Sequence, residues 1–286
     1  MRLRLLVTAC VVASVLPAPL AIAAASKDLG GHVTVKKGKY YCFGEKATIV
    51  GTNGDDRIKL TPSNDVVVSL GGNDVVDPEF VDEGASALEP DFSAMRTDGY
   101  RSKDRVCTGP GNDQIRGGGR GGAWQADGGT GDDTIASGRE IYGDAGNDTV
   151  DVRDCESTRI RGGAGNDTIR SGYDTRVKQR DGSERCPKDN DVVNGDDDDD
   201  VLYGGDGKDT LYGGPGDDYV SGELGANELY GWAGNDTLIG YRAADQVDGG
   251  SGPQDACLGR GGDDTYVKCD VLMSSAHSAR ATASTG

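Results

Sequence analysis

A nine-residue period between Gly195 and Val267 restricts this chain more than any other feature of its sequence. The units are GDDDDDVLY, GGDGKDTLY, GGPGDDYVS, GELGANELY, GWAGNDTLI and GYRAADQVD, followed after Gly249 by GSGPQDACL and GRGGDDTYV. Glycine recurs at the first, second and fourth positions, an acidic residue at the sixth and an apolar residue at the eighth. A short fixed period of this kind belongs to a solenoid, in which each unit buries its apolar residue only against its neighbours.

Each position has a chemical reason. The glycines allow a six-residue turn to adopt positive φ and to bring its backbone close to a bound ion. The last three residues are too few for a helix and suit a short strand with the eighth side chain inward. Two nines then make one coil of turn, strand, turn, strand. Coils stacked about 4.8 Å apart set sixth-position aspartates eighteen residues apart side by side. Two carboxylates roughly 5 Å apart repel by about 3 kcal/mol at an effective dielectric near 20, so a column of them calls for cations. Calcium suits it, since it accepts six to eight oxygens at about 2.3 to 2.6 Å. Magnesium is more tightly octahedral and keeps its water.

On these units the chain resembles the haemolysin-type calcium-binding repeat, or RTX repeat, over most of residues 42 to 267. The resemblance implies an all-β fold, a parallel β-roll (a right-handed β-solenoid), with several Ca2+ ions held between coils by the glycine-rich turns. It also implies calcium-dependent folding and secretion from a bacterial cell.

Met1 to Ala25 reads as a secretory signal, with Arg2 and Arg4 ahead of an apolar run and small residues at Ala21-Ile22-Ala23 and Ala23-Ala24-Ala25. Pro17 and Pro19 and the lack of a basic stop argue against a membrane anchor. Val7-Thr8-Ala9-Cys10 resembles a lipoprotein box, but few apolar residues precede it. Of seven cysteines, removal of Cys10 with the signal leaves 7 − 1 = 6, an even number that favours three disulfides in an exported protein. Pairing in chain order gives Cys42 with Cys107, Cys155 with Cys186 and Cys257 with Cys269, one of fifteen connectivities. A zinc site competes poorly with the disulfides, because no C-x-x-C pair occurs and His32 and His277 lie outside the repeats. The formal charge of −18 becomes −18 − 2 = −20 without Arg2 and Arg4, which excludes nucleic acid as a natural partner. Low hydrophobicity with high net charge would ordinarily mean disorder; the regular glycine and aspartate spacing argues for order conditional on metal.

Residues 26 to 41 form an N-terminal segment, and Cys42 to Val50 reads as a capping unit with Ile49 at the apolar position and Ala47 in place of the acid. Asp56, Asp65 and Asp74 then occupy successive sixth positions. An excursion follows over 78 to 107, after which Asp113, Asp133, Asp148 and Asp167 return at roughly one per coil, with Trp124, Ile141 and Ile160 available to the core. A second excursion, 171 to 194, carries Arg176, Lys178, Arg180, Arg185 and Lys188. Treating both as half-coils predicts one column of Asp56, Asp74, Asp113, Asp133, Asp148, Asp167, Asp200, Asp218, Asp236 and Asp255. The excursions then lie on the opposite side, which has a partial column in the last block, Asp209, Asn227, Asp245 and Asp264; Asn227 lacks the charge and weakens its neighbours. Tyr212 and Tyr230 are expected to stack outside the roll, Trp232 to lie in a turn, and residues 271 to 286 to be a disordered tail.

The expected function is that of a secreted, extracellular, monomeric calcium-binding module with a structural or adhesive role, and without a membrane span once the signal is cleaved. Its candidate partner is a cell-surface or matrix polymer. No G-x-S-x-G or H-E-x-x-H occurs, so no enzymatic activity is expected. The alternative is a carbohydrate-active β-solenoid enzyme, such as a calcium-dependent polysaccharide lyase or epimerase, with Arg116, Arg139, Arg153 and Arg170 beside the acidic column.

Overall fold

The structure, a computed structural model, describes residues 31–61, 63–78, 103–116, 125–136, 138–152, 156–172, 189–241 and 243–272. A small antiparallel sheet opens it, made of β1 (Val33–Lys36), β2 (Lys39–Cys42) and β3 (Glu45–Lys46). All remaining strands among the described residues are parallel and fall into two sheets of eleven. The first sheet contains β4 (Ile49–Val50), β6 (Val66–Val68), β8 (Arg105–Pro110), β10 (Gln125–Thr130), β12 (Glu140–Ala145), β14 (Arg159–Ala164), β16 (Val192–Asp197), β18 (Thr210–Pro215), β20 (Glu228–Ala233), β22 (Gln246–Asp248) and β24 (Thr265–Val267). The second contains β5 (Arg57–Leu60), β7 (Val75–Pro78), β9 (Gln114–Ile115), β11 (Thr134–Ile135), β13 (Thr149–Asp151), β15 (Thr168–Arg170), β17 (Val201–Tyr203), β19 (Tyr219–Ser221), β21 (Thr237–Ile239), β23 (Ala256–Leu258) and β25 (Val271–Leu272). The chain alternates between the sheets, so each coil adds one strand to each, and the molecule is an all-β parallel solenoid.

The eighth-position side chains make the core. Leu211 and Leu229 pair in register on the first sheet, as do Leu202 and Val220 on the second, and all four are fully buried. Burying such an aliphatic side chain stabilises by about 1.5 to 3 kcal/mol. Most strands give the core a single apolar side chain, with exceptions such as Ile58 and Leu60 of β5, so stability accumulates by stacking coils. Sequence phase holds through Asp196 to Asp200: Leu202 and Leu211 both reach the core, while Asp196 and Asp198 take φ of 75° and 77°.

Several expectations need correction. In β10 the core position belongs to Ala126, fully buried, while Trp124 lies outside the described residues. Cys42 to Val50 is not one capping unit: Cys42 closes β2 against β1, and only Ile49 and Val50 join the roll, opposite Val67 and Val68. The three-stranded sheet packs Val33 and Cys42 on Val66, Val68, Leu70 and Cys107. Parallel pairing resumes at Arg105 and Val192, inside the stretches read as excursions. Val271 and Leu272, assigned to a disordered tail, form β25 against β23.

Disulfides join Cys42 to Cys107 and Cys257 to Cys269, with Cα atoms 5.9 and 5.8 Å apart. The pair Cys155 and Cys186, the signal segment and the basic residues 176 to 188 lie outside the described residues. No helix among the described residues is long and apolar enough to cross a membrane.

Candidate metal centre

The turns leading from the first sheet to the second carry a continuous column of aspartates. The Asp56 N–H donates to Asp74 Oδ1 at 2.8 Å, and Asp74 N–H to Asp113 Oδ1 at 2.6 Å. The same bond runs on through Asp133, Asp148, Asp167, Asp200, Asp218, Asp236 and Asp255, at 2.7 to 3.1 Å. Asp255 N–H ends the series on Asp270 Oδ2 at 3.0 Å. These are the ten residues that the half-coil reading brings together, joined by Asp270.

The second oxygen of these side chains defines the site. Oδ2 of Asp74, Asp113, Asp133, Asp148, Asp167, Asp200, Asp218, Asp236 and Asp255 is buried and has no hydrogen-bond partner. An orphaned carboxylate oxygen in a dry site is costly unless a cation or a proton meets it. Burial pushes Asp133 and Asp200 up to about 8, Asp167 and Asp236 up to about 7, and Asp113, Asp148 and Asp218 up to about 6, against the bond each accepts from a neighbouring backbone N–H. Burial raises Asp74 as well. The metal-free turns therefore resist holding all of these charges at once.

Glycine serves the site in two distinct ways. At the first position, a Cβ on Gly128, Gly143, Gly162, Gly195, Gly213 or Gly231 would overlap Oδ2 of the aspartate five residues later. At the second and fourth positions the backbone itself is left-handed, as at Gly214 (φ 128°) and Gly216 (φ 153°), a conformation that costs other residues about 1 to 2 kcal/mol. Carbonyl oxygens of these positions face the next coil's glycines, as Gly216 O faces Gly234 and Asp196 O faces Gly214. Buried carboxylate oxygens bordered by backbone carbonyls are a hard, all-oxygen donor set, which fits calcium.

The opposite turns hold a second column. Asp191, Asp209, Asn227, Asp245 and Asp264 are linked by the same N–H to Oδ1 bond at 2.8 to 2.9 Å, and Asp65 reaches Asp104 at 2.9 Å. Oδ2 of Asp209 and Asp245 is buried without a hydrogen bond, and burial raises these groups to about 8 and about 7. Asn227 places an unpartnered Nδ2 where its neighbours have oxygen. Three of the predicted aspartates differ, because a local hydroxyl meets Oδ2: Thr52 at Asp56 (3.0 Å), Thr61 at Asp65 (2.9 Å) and Tyr266 at Asp264 (3.2 Å). Their need for an ion is correspondingly smaller.

Sequence reasoning missed Asp104 and Asp191, which sit within the supposed excursions, and Thr158, which donates to Asp191. It also missed the fifth position. Asp55, Asn73, Asn112, Asp132, Asn147 and Asn166 form an exposed ladder in which each backbone N–H donates to the preceding coil's side chain at 2.8 to 3.1 Å. This ladder runs opposite in direction to the buried one beside it. The recurrence of Asn or Asp immediately before the sixth position was its visible signal.

Outside the turns, Tyr212 and Tyr230 stack at 5.1 Å. Trp232 is 59% exposed at the end of β20 with φ of 77°. Of the arginines in the enzymatic alternative, Arg116 bonds Asp77 and Gln114, Arg170 covers the Tyr203 ring, Arg139 pairs with Glu156, and Arg153 is outside the described residues.

The family model for the RTX calcium-binding nonapeptide repeat (four copies) matches residues 47–77, 140–153, 157–174, 188–220 and 221–253. No curated protein matches the chain. The column passes without a break through Asp113 and Asp133, between the first two matched stretches. Fold, glycine placement and repeat match agree: the chain is a parallel β-solenoid that carries repeats of the RTX calcium-binding nonapeptide type.

Proposed function

We propose that this is a secreted protein whose roll folds when calcium fills the turns, and that it acts outside the cell as a structural or adhesive module on a surface or matrix polymer. The carrying observation is the column of buried, unpartnered Oδ2 atoms from Asp74 to Asp255. Asp209 and Asp245 do the same on the other side. Calcium supplies the positive charge that these oxygens lack, and the chain supplies rigid turns and glycine carbonyls around it. Because the ligands come together only when coils stack, ion binding and folding are one equilibrium. At low calcium inside the cell the chain stays expanded, and it folds on export. The N-terminal signal and the even cysteine count of the mature chain support an extracellular setting.

The test is far-ultraviolet circular dichroism of residues 26 to 286, disulfides intact, during calcium titration with magnesium as control. A cooperative gain of β signal with calcium alone is expected. A β spectrum already complete in chelator and unmoved by calcium overturns the reading.

A further inference from the structure

The segment ahead of β1 meets the roll at a cluster unlike the repeat turns. Both the N–H and Nδ1 of His32 lie 3.0 Å from Asp127 Oδ2, on β10. The Gly31 N–H donates to Asp144 Oδ2, on the adjacent β12, at 2.9 Å. The His32 ring is held between Phe43, at 4.2 Å, and Tyr142, at 4.1 Å. One ligand atom each from His32, Asp127 and Asp144 lies within 4.8 Å of the other two. Asp127 is 1% exposed, and its Oδ1 is buried with no hydrogen-bond partner.

We propose that His32, Asp127 and Asp144 bind one divalent cation of the zinc class, distinct from the calcium sites, and that this ion fastens the segment before β1 to the β-roll. An imidazole with two carboxylates is a donor set that zinc accepts, at about 2.0 to 2.2 Å per ligand, leaving a fourth position for water. Nδ1 and Oδ2 at 3.0 Å are spaced as two ligands of one such ion. Calcium selects against the site because it collects oxygens. Two carboxylates and a neutral imidazole balance the 2+ charge, and the ion gives the orphaned Oδ1 side of Asp127 its counter-charge. Phe43 and Tyr142 fix the ring before the ion arrives, which lowers the ordering cost. The ligands belong to stretches 95 residues apart along the chain at His32 and Asp127, so the ion acts as a crosslink between the N-terminal segment and the coils.

The experiment uses the full mature chain with intact disulfides in a large excess of calcium, so that the repeat turns are saturated and a failure of calcium-dependent folding is seen separately by circular dichroism. Zn2+ is titrated by calorimetry, and Co2+ by its visible absorption. One equivalent is expected to bind, with affinity falling by more than the about 10- to 100-fold of an outer-shell change in His32→Ala, and also falling in Asp127→Asn. In the unmutated protein the imidazole signals of His32, told from those of His277 by a His277→Ala variant, should shift on Zn2+ addition; this holds the proposal testable if a variant misfolds. Absence of a one-equivalent event, or an event unchanged in His32→Ala with His32 signals unmoved, overturns it. The second pattern is cation on the acidic surface, and the first leaves His32 as the ionic partner of Asp127 alone.

Discussion

Asp218→Asn tests whether the buried column is a cation column, because it removes charge while leaving shape and a hydrogen bond in place. Asp218 Oδ1 accepts the Asp200 N–H at 2.8 Å, its own N–H donates to Asp236 Oδ1 at 2.9 Å, and Oδ2 is buried and unpartnered. Asn227 shows the substitution is sterically native to the fold: its Oδ1 accepts from Asp209 at 2.9 Å and its Nδ2 sits buried without a partner. With calcium at about a hundred times its dissociation constant, each site contributes about 2.7 kcal/mol. Asp218 borders one site above and one below, so the variant should lose up to about 5 kcal/mol, or about 10 °C in Tm for a roll of this size unfolding as one unit. Without calcium the sign changes. Repulsion with an ionised Asp200 or Asp236 is about 3 kcal/mol at an effective dielectric near 20, against about 1 to 3 kcal/mol for an unpartnered buried amide, so the variant should be at least as structured as the parent. The assay is circular dichroism across a calcium titration with thermal unfolding at both ends. Leu211→Ala is the control, expected to lose about 2 to 5 kcal/mol in calcium and to be less structured than the parent without it. If Asp218→Asn behaves like Leu211→Ala in both conditions, the carboxylate is only a structural acceptor and the cation argument fails.

In calcium-free buffer the roll should gain β signal as the pH falls from 8 to 5. Asp133, Asp200 and Asp236 have folded values of about 8, 8 and 7 against 3.8 when unfolded; protonation therefore stabilises the metal-free fold fully below about pH 4, and this is lost as the pH rises through about 7 to 8. Protons compete with calcium, so the calcium midpoint should rise on acidification, and a midpoint independent of pH contradicts the assignment. Trp232→Gly should raise Tm by relieving about 1 to 2 kcal/mol of left-handed strain at a side chain that is 59% exposed; a lower Tm would mean that the indole packs more tightly than the structure has it. Replacing Cys42 and Cys107 together by serine opens a 65-residue link and should cost about 4 kcal/mol in the chain-entropy account, read as faster amide exchange in β1 to β3 at constant calcium.

Most of the roll was legible because its energetics are local and repeated. Leu202, Leu211, Val220 and Leu229 announce the core by spacing alone, since a nine-residue unit can turn its eighth side chain only one way. The ten-aspartate column was legible across both excursions for the same reason: a parallel register cannot slip by half a coil without exchanging the sheets. Periodicity failed where one residue did the work of a unit. Ala126 fills the core position of β10 with a single methyl group, and Asp104 and Asp191 keep the second column inside stretches with no visible period.

The sequence by itself determined the fold class, the phase of the coils and which aspartates share a side, because period and glycine placement are properties of single units. Only the tertiary structure decided which oxygens go unpartnered. Oδ2 of Asp56 meets the Thr52 hydroxyl, whereas Oδ2 of Asp218 meets nothing, a difference set by close approaches between side chain and turn. Only the tertiary structure, too, brings His32 onto Asp127 and Asp144, since that meeting depends on where an antiparallel hairpin lands on a parallel sheet, and no spacing along the chain records it.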